Sequence, residues 1–190
     1  MQKIVTFLLL FISLDTMGQQ ASMREVFKRM PDSIFVYLTE NNRLDFIDFI
    51  DSHMNAEVTN TLGGKSRMLQ LTDRFLSVRL NEASAVSMKL LPVSEPVDSA
   101  SHIICMVRTF GKDIQESIVS FYSLKWKPLN AADYIQWPTN QMYVATLTDE
   151  ADTLTLESVG KLDAPANEEQ KEYPKTSITF NWNGVFVNNN

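Results

Sequence analysis

Cysteine and histidine are scarce in this chain, which has one Cys and two His among 190 residues. A single cysteine excludes an internal disulfide, and so few ligands supply neither an H-E-x-x-H motif nor paired C-x-x-C motifs for a zinc site. The G-x-S-x-G motif of serine hydrolases is also missing. We therefore predict no catalytic residues, no metal site and no cofactor, while the sequence leaves enzymatic activity open.

Basic residues are too few and too scattered for a nucleic-acid-binding protein. There are 17 Lys and Arg against 23 Asp and Glu, a formal net charge of −6. Contact with a phosphate backbone requires a basic stripe or patch, so no nucleic-acid partner is expected. With 44% hydrophobic and 21% charged residues, the composition is typical of a globular protein rather than of a disordered or collagen-like chain.

The chain has only one long apolar run, from Ile4 to Leu14 after the basic Lys3. A membrane-spanning helix needs about 20 apolar residues, whereas a short run followed by small residues before Gln19 is typical of a secretory signal peptide. We predict a signal peptide at residues 1–18 and a protein secreted to the periplasm or cell envelope. No membrane span is expected after cleavage.

Residues 22–55 are predicted to be helical. Ser22 and Glu25 have the spacing of a capping box, which predicts a short helix that ends near Met30. A period of 3.6 residues then predicts a second helix from Asn42 to Met54, with apolar side chains on one face.

The period changes to two in residues 62–187, which indicates short antiparallel strands. The run from Ile103 to Val107 is apolar on both faces, as expected of a central strand. Asn183-Gly184 favours a two-residue hairpin, and residues 125–141 and 161–175 are predicted loops. These features predict one α+β domain over residues 19–190, with N-terminal helices packed on one face of an antiparallel β-meander sheet.

The few residues suited to chemistry have simpler structural explanations. Cys105 lies in an apolar strand and is predicted to be a packed thiol rather than a reactive one. His53 falls on the apolar face of the second predicted helix, and His102 begins a strand beside a polar turn. The acidic turn Asp149–Asp152 is a candidate calcium site, but it lacks the EF-hand spacing and glycine, so a charged hairpin tip is favoured.

Aromatic residues gather in and beside the loop at residues 125–141, and they are the candidate binding residues: Trp126, Tyr134, Trp137 and Tyr143. Exposed Trp and Tyr side chains stack on sugars or anchor a protein partner. The alternative is that they fill one end of the sheet as part of the core. Long ordered loops often carry function, so both interpretations are kept.

Four segments resemble a family of small secreted proteins of unknown function from Gram-negative, Bacteroides-like bacteria. They are MPDS from Met30, YLTENNRLD from Tyr37, Gly-Gly-Lys-Ser from Gly63, and LTDRFLS from Leu71. The resemblance extends from the signal peptide to the last strands. It implies a location in the Gram-negative envelope, and it implies no catalytic residue.

Three functions remain as hypotheses. The first is a non-catalytic envelope protein that binds a protein or glycan of the cell envelope. The second is a hydrolase that uses a pair of carboxylates, since 23 acidic residues leave many pairs open. The third is a carbohydrate-binding module that uses the loop aromatics, above all Trp126 and Trp137.

Overall fold

The computed structural model describes residues 21–138, 141–160 and 176–188, and it begins with two helices. Helix α1 (Met23–Lys28) is capped by Ser22, whose hydroxyl accepts a hydrogen bond from the Glu25 amide, as predicted. Helix α2 (Glu40–Asp51) begins at a capping box formed by Thr39 and Asn42. The predicted signal peptide lies outside the described residues.

The second helix ends three residues earlier than predicted, at Asp51 instead of Met54. His53 has a left-handed backbone with φ 54°, so it leaves the helix, and its side chain is exposed. Met54 is 59% exposed. The predicted position of His53 and Met54 on the apolar helix face is therefore wrong, because the helix has already ended when the chain reaches them.

Seven strands follow and form one antiparallel sheet in sequence order, as a meander should. They are β1 (Glu57–Thr59), β2 (Lys65–Leu71), β3 (Phe75–Asn81), β4 (Ser84–Val97), β5 (Ala100–Phe110), β6 (Glu116–Ser123) and β7 (Pro128–Leu129). The two helices pack on one face of this sheet and make the helix-side core, which includes Phe27, Phe46, Val78, Met88 and Met106. The predicted α+β fold is confirmed.

A second, four-stranded sheet covers the opposite face of the meander, and the sequence did not reveal it. Its strands are β8 (Met142–Leu147), β9 (Thr153–Gly160), β10 (Ser177–Trp182) and β11 (Phe186–Asn188), in the spatial order β11-β10-β9-β8. The sheet-side core between the two sheets includes Leu91, Cys105, Phe121, Leu154 and Leu156. The molecule therefore has three layers, with the seven-stranded sheet in the middle.

The central strand was correctly predicted from its two apolar faces. In β5, Ile104 and Met106 point into the helix-side core, whereas Ile103, Cys105 and Val107 point into the sheet-side core. Each of these five side chains is at most 1% exposed. Both cores thus share the strands of one sheet.

The predicted last hairpin has a longer turn than expected, and a tight turn that was not predicted lies elsewhere. Trp182 pairs with Phe186, so the last hairpin has a three-residue turn, Asn183–Val185, rather than a two-residue one. The tight two-residue turn instead joins β4 to β5, where Asp98 and Ser99 both have positive φ and Val97 pairs with Ala100. This pattern is typical of a type I′ hairpin.

The predicted loop at residues 125–141 is ordered where it is described. It contains β7 and a 3-10 helix, Ala131–Asp133, and Ile135 forms a β-bridge with Phe186. The other predicted loop, at residues 161–175, lies outside the described residues.

Candidate functional site

A groove of about 670 Å³ lies between residues 132–138 and the β10–β11 hairpin. We call it the aromatic groove. One wall comes from the segment after β7, and the other comes from the last two strands of the second sheet. Its lining residues are Ala132, Asp133, Tyr134, Ile135, Gln136, Trp137, Pro138, Ile178, Phe180, Val185, Phe186, Val187 and Asn188.

Hydrogen bonds fix the segment that carries Tyr134 and Trp137. Asn130 caps the 3-10 helix by accepting from the Ala132 amide, and it also donates to the Asp133 carboxylate over 3.1 Å. The Phe186 amide then donates to the Tyr134 carbonyl over 2.7 Å. The groove wall is therefore tied both to itself and to β11, which preorganises it.

A stack of aromatic rings supports the floor of the groove. The Tyr134 ring lies 5.0 Å from Phe121 and 6.2 Å from Trp182, and Trp182 meets Phe186 edge-on at 4.9 Å between ring centroids. The Trp182 indole N–H donates to the Pro92 carbonyl over 2.7 Å. Phe121 and Trp182 are also in contact, with 6.5 Å between their ring centroids, so the three rings form one cluster that holds Tyr134 in place.

Trp137 is the most accessible aromatic residue of the groove, with 36% of its surface exposed. It also lines a smaller adjoining pocket of about 240 Å³, together with Tyr143. Gln136 is exposed beside it, and Asn188 lies on the opposite wall. The groove thus combines an apolar floor with amide groups at its rim.

The groove has little acid–base capacity. Asp133 is the single carboxylate among its described lining residues. Burial raises the pKa of the Tyr134 hydroxyl above its usual value, and the nearby Asp133 charge adds to this rise. Tyr134 therefore stays protonated at neutral pH. A second carboxylate for general acid–base hydrolysis is not among the described lining residues.

The structure brings three of the four predicted aromatic residues together. Tyr134 and Trp137 line the aromatic groove, and Tyr143 is adjacent but buried, with its hydroxyl donating to Gln141 over 2.7 Å. Burial raises the pKa of Tyr143. All three lie on the side of the second sheet.

Trp126 lies on the other side of the central sheet. It is 6% exposed within the helix-side core, and its indole N–H donates to the Val26 carbonyl of α1 over 3.1 Å. Its φ of 63° places its backbone in the left-handed region. A ligand cannot reach this ring, which anchors α1 to the sheet, so we leave Trp126 out of the candidate site.

The opposite wall of the groove was not identified from the sequence. Ile178 and Phe180 come from a strand that the alternation predicted, whereas Val185 and Phe186 come from the turn and strand that follow it. Alternation does not tell which element a strand packs against. The sequence therefore indicated the strand, but not the element that it packs against.

The acidic Asp149–Asp152 turn already binds the ammonium group of Lys89. Lys89 is fully buried, and its ammonium group donates to the carbonyls of Thr148 (2.7 Å), Asp149 (3.0 Å) and Ala151 (2.5 Å). The same group lies 3.2 Å from the Asp152 carboxylate, which also pairs with Arg74. The carbonyl oxygens that calcium would need are therefore used by Lys89.

Lys89 is a charged residue on the inner side of its strand. Ser87 and Lys89 alternate with Val86, Met88 and Leu90 in β4, so they lie on the face opposite to the helix-side core. That face is covered by the second sheet, and the long lysine side chain crosses the core to reach the hairpin carbonyls.

Histidine and cysteine are not arranged for catalysis in the described residues. Cys105 is completely buried, and burial strongly raises the pKa of its thiol, as expected of a packed cysteine. The pKa of His102 is lowered, first by burial and then by the charge of Arg74. Within residues 21–138, 141–160 and 176–188, no group of three His, Cys, Asp or Glu could hold a metal ion.

Two packed antiparallel sheets and a pair of helices define an α+β protein with an aromatic groove at its surface. The family model described as "Protein of unknown function (DUF3256)" matches residues 16–166, so the chain belongs to this family. The predicted relation to a family of unknown function is confirmed at this level.

A solved structure shows the same fold. It is the structure of a domain of an uncharacterized protein from Porphyromonas gingivalis W83, 20% identical, with a TM-score of 0.72 over 89% of this chain and 98% of that chain. A comparison with curated proteins found no match. In the part of the chain that the structure describes, no helix is long and apolar enough to cross a membrane.

Proposed function

We propose that this protein is a secreted, non-catalytic binding protein of the bacterial cell envelope, and that the aromatic groove holds its partner. The observation that carries this proposal is the groove itself. Its volume of about 670 Å³ is within the range of ligand sites, and aromatic and aliphatic side chains make up most of its lining. One carboxylate in that lining favours binding over hydrolysis by a carboxylate pair.

The partner that fits best is a protein segment with apolar side chains. Trp137 and Val185, 36% and 39% exposed, offer apolar surface at the two walls, and the rigid aromatic floor reduces the entropy cost of binding. Asp133 and Gln136 at the rim provide hydrogen-bonding groups around this apolar centre, which is the usual anatomy of a protein interface.

Site-specific photo-crosslinking in the native cells tests this proposal. A benzophenone side chain replaces Gln136 in the groove or, as the control, the exposed Lys125 in the turn between β6 and β7, which does not line the groove. We expect one discrete protein adduct from the Gln136 position that the Lys125 position does not form. Equal adducts at both positions, or none at Gln136, would contradict the proposal.

A glycan is the second candidate partner, because Trp137 is exposed beside the amide of Gln136. An indole face and amide groups are suited to a sugar ring and its hydroxyls. On a glycan array, Trp137→Ala would then lose binding, whereas Leu69→Ala, which removes a 51% exposed side chain outside the groove, would keep it. Silence of the parent protein on the array rejects this candidate.

Secretion rests on the N-terminal pattern of Lys3, the apolar run and the small residues before Gln19. The protein isolated from the native cells would then begin at Gln19. Mass spectrometry of its N-terminal peptide decides this, and a peptide that contains Met1 would contradict secretion by this signal.

A further inference from the structure

One corner of the central sheet is not covered by the helices. Helix α2 packs over β1 and β2, and α1 is held near the end of β6 by the bond from Trp126 to Val26. The corner where β5 ends and β6 begins lies beyond both helices. Phe110 and Ile118 are 38% and 48% exposed there, which is unusual for large apolar side chains on the core-facing side of a sheet.

Arg108 lies in the middle of this corner. The strand register places it directly opposite Val86 on β4 and Ile118 on β6, so all three side chains share the helix-facing side of the sheet. Its Nε atom is buried and has no hydrogen-bond partner. Its guanidinium forms no salt bridge with a described residue. The Arg108 side chain is half-buried, and a polar atom that is shielded from water without a partner is costly.

Glu116 supplies a negative charge on the same surface. It pairs directly with Phe110 and is exposed, and it too forms no salt bridge within the described part of the chain. Arg108 and Glu116 are diagonal cross-strand neighbours, a position in which side chains are typically about 7–8 Å apart. The corner therefore carries one unpaired charge of each sign beside two exposed apolar side chains.

We propose that this corner binds a second copy of the chain across a two-fold axis. In such a dimer, the same patch of both protomers forms the interface, and the two patches run in opposite directions. Arg108 of each protomer then faces Glu116 of the other. Phe110 and Ile118 are buried between the central sheets of the two protomers. A surface with both charges unpaired is complementary to itself, and this is the reason that a second copy is the occupant.

The surface is small, so the dimer is weak and its population depends on concentration. Sedimentation equilibrium measures the association of a chain that begins at Gln19. Protein concentrations from about 10 µM to about 1 mM span the dissociation constants expected of a weak dimer. Arg108→Glu places two acidic side chains opposite each other at both contacts, and Glu116→Arg places two basic ones there. We expect each variant to stay monomeric over this range.

Mixing the two variants tests the proposed pairing directly. In an equimolar mixture, position 108 of one variant faces position 116 of the other with opposite charges at both contacts. Association is therefore expected to return in the mixture although each variant alone is monomeric. A loss caused only by altered folding would not be restored in this way.

The matched controls change the same charges away from the corner. Lys125→Glu and Glu150→Arg alter exposed side chains and are expected to associate like the parent. Circular dichroism shows whether Arg108→Glu remains folded. Glu116→Arg tests the same contact between protomers by changing an exposed side chain, which the fold of the protomer tolerates more easily. A parent protein that is monomeric at about 1 mM, or a mixture that remains monomeric, overturns the proposal.

Discussion

Lys89 joins the two sheets through buried polar contacts. Its ammonium group satisfies three carbonyls of the β8–β9 turn and contacts Asp152. Its side chain is completely buried, so the ammonium group depends on these contacts in place of water. A buried charge is tolerated when it is fully hydrogen-bonded, as it is here.

Replacing Lys89 by Met removes this cation and keeps the apolar stem. The carbonyls of Thr148, Asp149 and Ala151 lose their donor, and we expect the free energy of unfolding to fall by about 2–4 kcal/mol. Lys125→Met, at an exposed site, should change it by less than about 0.5 kcal/mol. Urea denaturation of both variants measures the difference, and equal midpoints would show that Lys89 contributes little.

The two helices are linked by a salt bridge between their exposed sides. Both guanidinium nitrogens of Arg24 in α1 donate to the Asp51 carboxylate at the end of α2, each over 2.7 Å. The hydrogen bond from Arg24 holds the pKa of Asp51 below its usual value. Asp48, one turn earlier on α2, is exposed and forms no salt bridge with the described residues.

The effect of this pair on stability should depend on pH. The folded pKa of Asp51 lies below its unfolded value near 3.8, so the pair stabilises the fold above that pH and ceases to do so as the pH falls through the folded pKa. Asp51→Asn should therefore be less stable than the parent at pH 7, with a difference that disappears in acid.

Asp48→Asn is the matched control for the change at Asp51. Thermal unfolding between about pH 2 and pH 7 compares the two variants with the parent across the range in which a carboxyl titrates. The difference between Asp48→Asn and the parent should stay small and constant. A similar pH dependence for both variants would mean that the contact with Arg24 adds nothing.

In the whole molecule, two cores share one sheet. Strands β4 and β5 contribute side chains to the helix-side core from one face and to the sheet-side core from the other. Loss of either outer layer would expose one apolar face of the central sheet to water. The layers should therefore unfold together in one cooperative transition.

Tryptophan fluorescence can follow the two cores separately. Trp126 lies in the helix-side core, and Trp182 packs against the sheet-side core. Tryptophan-to-phenylalanine variants that retain only one of them should each show coincident midpoints by fluorescence and far-UV circular dichroism. Fluorescence of Trp182 that changes at lower denaturant than the circular dichroism would indicate that the second sheet unfolds independently.

Patterns of local origin were predicted well because they depend on neighbouring residues. The Ser22 cap, the two-faced strand at Ile103–Val107 and the meander of the first seven strands follow from capping, from period two and from short turns. The burial of Cys105 followed from its apolar neighbours. The end of α2 was missed, since apolar periodicity continued through Met54 after the backbone had left the helix.

The α+β class, the antiparallel order of the meander and the aromatic cluster near residues 134–143 follow from the residue pattern alone. The second sheet over the opposite face, the burial of Lys89, and the different positions of Trp137 in a groove and Trp126 under a helix depend on long-range packing. Alternation assigns a side chain to a face of its strand. What covers that face depends on residues distant in the chain, such as the β8–β9 turn that receives Lys89.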